Sequence, residues 1–248
     1  MEKNNYNFVG IDPSLISTAV TIETEKGTKL FSFYKDKKLS KWEKLAEDTS
    51  TMYFLTPKDY KKMAYSEEQI AKHIDYDTTI EKIISVILDN IDDTKDTYVA
   101  IEGYSYSSNA GPLIDLVTFS TLLRDNILKY VTTNLTIVSP SELKKGCAMI
   151  VYDKGADGSY RNNELVENKK GEKKGMAGGS FKKHDMARAL IDYYGKTGII
   201  INDNVHDFLM GYKEEIFNLK GFPKPFDDII DALWAKEIMK HRLAVLSA

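Results

Sequence analysis

Four carboxylates stand where they can do chemistry together. Asp12 closes the apolar run Phe8-Val9-Gly10-Ile11, and Pro13 and Ser14 turn the chain after it. Glu102 closes a second apolar run, Tyr98-Val99-Ala100-Ile101, and is followed by Gly103. Asp228 and Asp231 are spaced three apart, so on a helix they share a face. Each acid also has an ordinary structural role. Aspartate after a strand serves turns, and Asp227 or Asp228 in a first helical turn can cap it and meet the positive end of the helix dipole. Asp231 is less easily explained, because it sits among Ile229, Ile230, Ala232, Leu233 and Trp234. An acid on an apolar face is costly unless it is paired or bound to a metal. Oxygen donors without cysteine suit a hard ion such as Mg²⁺ or Mn²⁺. Two such ions about 3.5–4 Å apart promote phosphodiester hydrolysis.

The elements that would position these acids are legible from periodicity. Residues 6–34 read as three strands, near 6–11, 18–23 and 29–34, with Glu25-Lys26-Gly27-Thr28 turning the last two. Isoleucines and leucines at three- and four-residue spacing predict a helix over 66–91, with Ser66 and Gln69 as its capping box and Tyr65 against Ile70 as the staple. A buried strand is expected at 97–101 and another at 135–138. Helices are expected from Gly111-Pro112, from Ser139-Pro140-Ser141-Glu142, over 180–194 with Gly195 as its stop, and over 226–243. Residues 36–64, 153–178 and 197–224 lack a clean period and read as inserts in a single domain spanning 1–248.

Composition narrows the classes. The chain of 248 residues is 42% hydrophobic and carries a net charge of −3 from 34 basic and 37 acidic residues. That balance argues mildly against a nucleic-acid binder, although local patches outweigh the total. Residues 144–184 are such a patch, with ten Lys/Arg against five acids. Residues 153–180 are rich in Gly and Asn and are expected to form a mobile loop or hairpin, which reads either as a solvated, disordered insertion or as an arm that grips phosphate. Cys147 is the only cysteine, which rules out internal disulfides and Cys-based zinc sites and suits a reducing compartment. No charged-then-apolar leader precedes the first strand and no apolar run approaches the length of a membrane span. A soluble cytoplasmic protein is expected, in the host cytoplasm if the source is viral.

In order along the chain, Gly10-Ile11-Asp12-Pro13-Ser14, Ala100-Ile101-Glu102, then Ser139-Pro140 through Lys144-Lys145-Gly146 with Gly179-Ser180-Phe181-Lys182-Lys183, and finally Asp228-Ile229-Ile230-Asp231-Ala232-Leu233 form a set. This set resembles the four motifs of the RuvC-type Holliday junction resolvases of the RNase H-like superfamily, with Ser14 where a glycine is usual. The resemblance spans most of the chain, diluted by the three inserts, and suits a divergent member such as one from a bacteriophage.

The resemblance implies an α/β, RNase H-like fold, with a central mixed five-stranded sheet flanked by helices. It implies that Asp12, Glu102, Asp228 and Asp231 are catalytic and bind two Mg²⁺ ions, for which Mn²⁺ substitutes. By the same carry-over, Lys183 is catalytic, and Lys144, Lys145, Lys182 and Lys183 contact DNA, with Lys182 and Lys183 both open as the equivalent of one family lysine. Tyr104 and Tyr106 flank the position of a family aromatic that wedges into the junction; as ordinary residues they read as a strand edge. The implied activity is paired symmetric cleavage of four-way junctions and other branched DNA by a homodimer. A nuclease of the same fold acting on flaps, forks or RNA–DNA hybrids, and a non-catalytic junction-binding scaffold, are the alternatives. An actin-like ATPase is disfavoured by the lack of a second Asp-Gly phosphate loop.

Overall fold

Alternation along the first strand decides the architecture. In β1 (Tyr6–Asp12), Phe8 belongs to one apolar cluster while Val9 and Ile11 belong to another. Successive side chains of a strand point to opposite faces, so each cluster lies on its own side of the sheet. A computed structural model of the chain describes residues 6–35, 41–104, 110–154, 159–160, 166–167, 173–174 and 180–246.

β1 pairs antiparallel with β2 (Ser17–Thr24), and β2 pairs antiparallel with β3 (Gly27–Tyr34). The register ends at Thr24 opposite Gly27, which leaves Glu25 and Lys26 as the turn. Gly27 takes φ 112°, a conformation that glycine adopts without the steric cost a Cβ brings. On the other side of β1, β5 (Asp96–Glu102) and then β6 (Leu135–Val138) add in parallel. These five strands form a mixed sheet, as the motif resemblance implies.

The sheet nevertheless has six strands, in the order β4-β3-β2-β1-β5-β6. The 36–64 region contributes α1 (Lys41–Ala46) and the edge strand β4 (Thr51–Phe54), parallel to β3. Four residues are too few to show a period, so Met52, Tyr53 and Phe54 carry no strand signal in the sequence. Tyr53 stacks on Phe33 at 5.1 Å, a pairing only the register creates.

α2 (Tyr65–Leu88) and α3 (Ala110–Tyr130) cover the face that carries Val9, Ile11, Val20 and Ile22. The cap of α2 differs from expectation. The Ala64 N–H donates to Glu67 Oε2 at 3.3 Å, two residues earlier than a Ser66 box would place it. Tyr65 and Ile70, the expected staple, are both exposed, and burial starts only at Asp75 and Tyr76, where the helix reaches the sheet.

The opposite face carries α4 (Pro140–Val151), α5 (Lys183–Thr197), α6 (Asp203–Gly211), α7 (Lys213–Phe217) and α8 (Phe226–Leu246). α4 starts as its sequence specifies: Glu142 N–H donates to Ser139 Oγ at 3.3 Å, and Ser139 N–H to Glu142 Oε2 at 2.9 Å. α5 runs past the expected stop at Gly195 and ends at Gly198, which takes the left-handed φ of 69°. The 197–224 region forms two helices whose Phe208, Leu209 and Ile216 join the core. Within 153–178, β7 (Val166–Glu167) and β8 (Lys173–Lys174) pair antiparallel.

α8 is the helix that organises this side. Trp234 is fully buried and its Nε1 donates to Met186 O of α5 at 3.0 Å, so the indole keeps a partner away from water. Lys236 is also fully buried and contacts Glu23 of β2 and Glu237 at 2.6 Å, while Lys240 reaches Glu23 at 2.6 Å. Among the described residues no helix is long and apolar enough to cross a membrane.

Candidate metal centre

Strand register places the first two acids. β1 and β5 run parallel with Gly10 opposite Ala100 and Ile11 opposite Ile101, so Asp12 and Glu102 come to the same end of adjacent strands. The period of two puts Gly10 and Asp12 on one face of β1, and Ala100 and Glu102 on the matching face of β5. Small residues on that face let α8 approach. A Cβ at Gly10 would lie 2.0 Å from Ala232 O, so the helix backbone lies directly on the strand. The residue before Ala232 is Asp231, and this approach brings it to the strand-end acids. Ligand oxygens of Asp12, Glu102 and Asp231 all lie within 4.8 Å of one another.

The cluster is largely buried, with Glu102 half-buried at its edge. Asp12, Asp228 and Asp231 are 7%, 4% and 3% exposed. Burial drives the Asp12 carboxyl well above the ordinary carboxylate range, and the charges of Glu102 and Asp228 push it further, against an opposing pull from Lys183. Asp227, beside the cluster, is pushed up to about 6 by burial and by Asp228. Asp231 Oδ1 is buried without a hydrogen-bond partner. Three crowded carboxylates, one with a bare buried oxygen, fit a divalent cation, which would neutralise the repulsion and fill the orphaned acceptor.

Two lysines supply positive charge. Lys183, in the first turn of α5, makes an ion pair with Asp231 and donates to Asp227 O at 3.2 Å. Lys182 is exposed and precedes the helix, its backbone N–H donating to Asp185 Oδ2 at 2.7 Å. Of the two, Lys183 is the one at the acids. Lys224 is the second cation. It donates to both carboxylate oxygens of Asp228, at 3.0 and 3.1 Å. Burial works against its charge, but Asp228, Asp227 and Asp12 raise its pKa above the ordinary lysine value.

The other expected residues are distributed as follows. Asp228 lies one turn before Asp231, adds its charge to Asp12 and pairs with Lys224; it is not among the three acids with mutually close ligand oxygens. Lys144 is half-buried and Lys145 exposed, both on α4. Tyr104 faces the Arg124 guanidinium of α3 at 5.0 Å, and Tyr106 lies outside the described residues. Lys224 was missed because 197–224 read as an insert. Its signal was the four-residue spacing to Asp228 just ahead of a helix.

No family model matches the sequence, and no curated protein matches it. Among solved structures the chain is similar to Thermus thermophilus RuvC in complex with a Holliday junction substrate, at 10% identity and a TM-score of 0.44, over 97% of this chain and 96% of that one. It is also similar to a second Thermus thermophilus RuvC structure, at 13% identity and a TM-score of 0.42, over 96% of each chain.

Proposed function

We propose that this protein is a divalent-metal-dependent, structure-selective endonuclease of the RuvC type that cuts four-way junctions and other branched DNA by paired symmetric cleavage, acting as a cytoplasmic homodimer. The observation that carries the reading is the triad Asp12, Glu102 and Asp231, with a buried bare oxygen on Asp231. The motif resemblance joins it to DNA.

Asp12, Glu102 and Asp231 would hold Mg²⁺ or Mn²⁺. A divalent ion bound there supplies Lewis acidity for hydrolysis of a phosphodiester. The acids come from two strand ends and a helix packed directly on one of those strands, so their geometry is preorganised by rigid elements. Asp228 adds negative charge at the edge of the cluster. Lys183, 31% exposed at its side chain, is placed to meet charge developing on a phosphate. Lys144, Lys145 and Lys182 offer phosphate contacts that position DNA without reading its sequence. Binding is therefore expected to weaken steeply with salt. Tyr104, with Tyr106, is proposed to meet the junction's branch point. A two-fold junction suits a two-fold protein, which is the case for the dimer.

The test is cleavage of a synthetic four-way junction in Mg²⁺ or EDTA, beside matched duplex, flap and RNA–DNA hybrid substrates. Paired symmetric nicks that need the metal and favour the junction are expected. Preference for flaps or hybrids would reject the junction and retain the acids. Tight junction binding without cleavage in any divalent ion would reject the enzyme in favour of a scaffold. Asp12→Asn and Asp231→Asn should abolish cleavage and leave junction binding.

A further inference from the structure

Residues 218–224 end the 197–224 insert, yet they deliver a charge to the centre. Phe222, before it, packs edge-on against His184 of α5 at 5.3 Å. Phe226, after it, stacks on Phe208 of α6 with ring centroids 3.5 Å apart. Both flanks of Lys224 are thus held by aromatic contacts to helices of the core. The ammonium meets both oxygens of Asp228, at 3.0 and 3.1 Å, and approaches Asp227 Oδ2 at 3.9 Å.

Asp228 and Asp231 differ in what they leave open. Asp231 keeps a buried oxygen without a partner, while each oxygen of Asp228 accepts from Lys224. Asp228 is 4% exposed, and the Lys224 side chain that chelates it reaches it from the surface, 43% exposed. A divalent ion placed on Asp228 would have to displace the ammonium or sit against it at contact distance, where like charges repel.

We propose that Lys224 stands in for a second divalent ion: it fills the cation position beside Asp228, so the centre takes one ion, at Asp12, Glu102 and Asp231. This rests on the reading of the acidic triad as a divalent-metal site and goes beyond it by setting the number of ions. Lys224 is then a positioning residue for the cluster, holding Asp228 neutralised.

The experiment counts Mn²⁺ ions per chain by isothermal titration calorimetry and by electron paramagnetic resonance of free Mn²⁺. It compares the unmodified protein, Lys224→Ala, Lys224→Gln, Lys224→Arg and Asp231→Asn, each checked for folding by its melting curve. One ion is expected for the unmodified chain and for Lys224→Arg. Two are expected for Lys224→Ala and Lys224→Gln, and loss of the first ion for Asp231→Asn. Two ions on the unmodified chain, or one on both Lys224→Ala and Lys224→Gln, would overturn the role of Lys224 and leave the metal site standing. No ion on the unmodified chain would overturn the metal reading itself.

Discussion

Replacing Gly10 by alanine tests whether close contact between β1 and α8 holds the acids together. The added methyl would meet Ala232 O at 2.0 Å, Thr21 Cγ2 at 2.8 Å and Lys236 Cβ at 2.9 Å. The first is helix backbone and the third the stem of a fully buried residue, so neither swings aside. α8 would have to recede by about 1 Å to bring Ala232 O to the 3.0 Å at which the tightest real contacts begin. Overpacking a core costs about 1–3 kcal/mol where side chains can adjust. Backbone against backbone belongs at the top of that range, so a loss of about 3 kcal/mol is expected. Asp231 travels with Ala232, and a 1 Å misplacement of catalytic groups costs on the order of 100-fold in rate. Two other glycines calibrate the effect. At Gly146 the new methyl meets only side-chain atoms of Ile238, the nearest at 2.5 Å, so a loss of about 1–2 kcal/mol is expected. At Gly195, inside α5, it meets nothing within 4 Å, and helix propensity favours alanine by up to about 1 kcal/mol. Urea denaturation orders the three, and Mn²⁺ titration reads the site. The reasoning is refuted if Gly10→Ala is no less stable than Gly146→Ala, or if it binds Mn²⁺ like the unmodified protein.

Other perturbations follow from the same contacts. Lys236→Met should destabilise by about 3–5 kcal/mol, because it leaves the carboxylates of Glu23 and Glu237 buried with less neutralising charge; denaturant midpoints measure it. Burial alone would raise Glu23, but Lys236 and Lys240 outweigh it and bring it to about 2, against an ordinary 4.5. Its contribution, on the order of 3 kcal/mol, is full above pH 4.5 and lost as pH falls towards 2, and this acid limb should shrink in Lys236→Met. For Asp12 the sign reverses: a carboxyl raised above its ordinary 3.8 takes up protons in the folded state, so its contribution to stability falls as pH rises. In EDTA at pH 8, Asp12→Asn should therefore melt higher than the unmodified protein, yet gain nothing from added Mg²⁺; a lower melting temperature there would contradict the assigned repulsion. Lys183→Ala should reduce junction cleavage on the order of 100-fold, against a few-fold for Lys182→Ala, because only Lys183 reaches Asp231. Equal losses from the two would refute that assignment.

The amino-acid pattern by itself determined the five strands of the mixed sheet, the long helices on its faces and the four acids, because these rest on short-range rules. A period of two or of three to four residues, a capping box at Ser139, and an acid at the end of an apolar run are all visible within a dozen residues. Helix ends were less visible: Gly195 and Gly198 are equally plausible stops by type, and only the chain path after α5 selects the left-handed one. The strand Thr51–Phe54 and the helices of 197–224 are held by contacts with distant residues, such as Tyr53 on Phe33 and Phe226 on Phe208. Tertiary structure alone decided how the acids divide. It set Asp231 with Asp12 and Glu102, because α8 rests on Gly10, and gave Asp228 to Lys224. It also chose Lys183 over its neighbour, since adjacent residues at a helix start point in different directions, and only one of those directions leads to the acids.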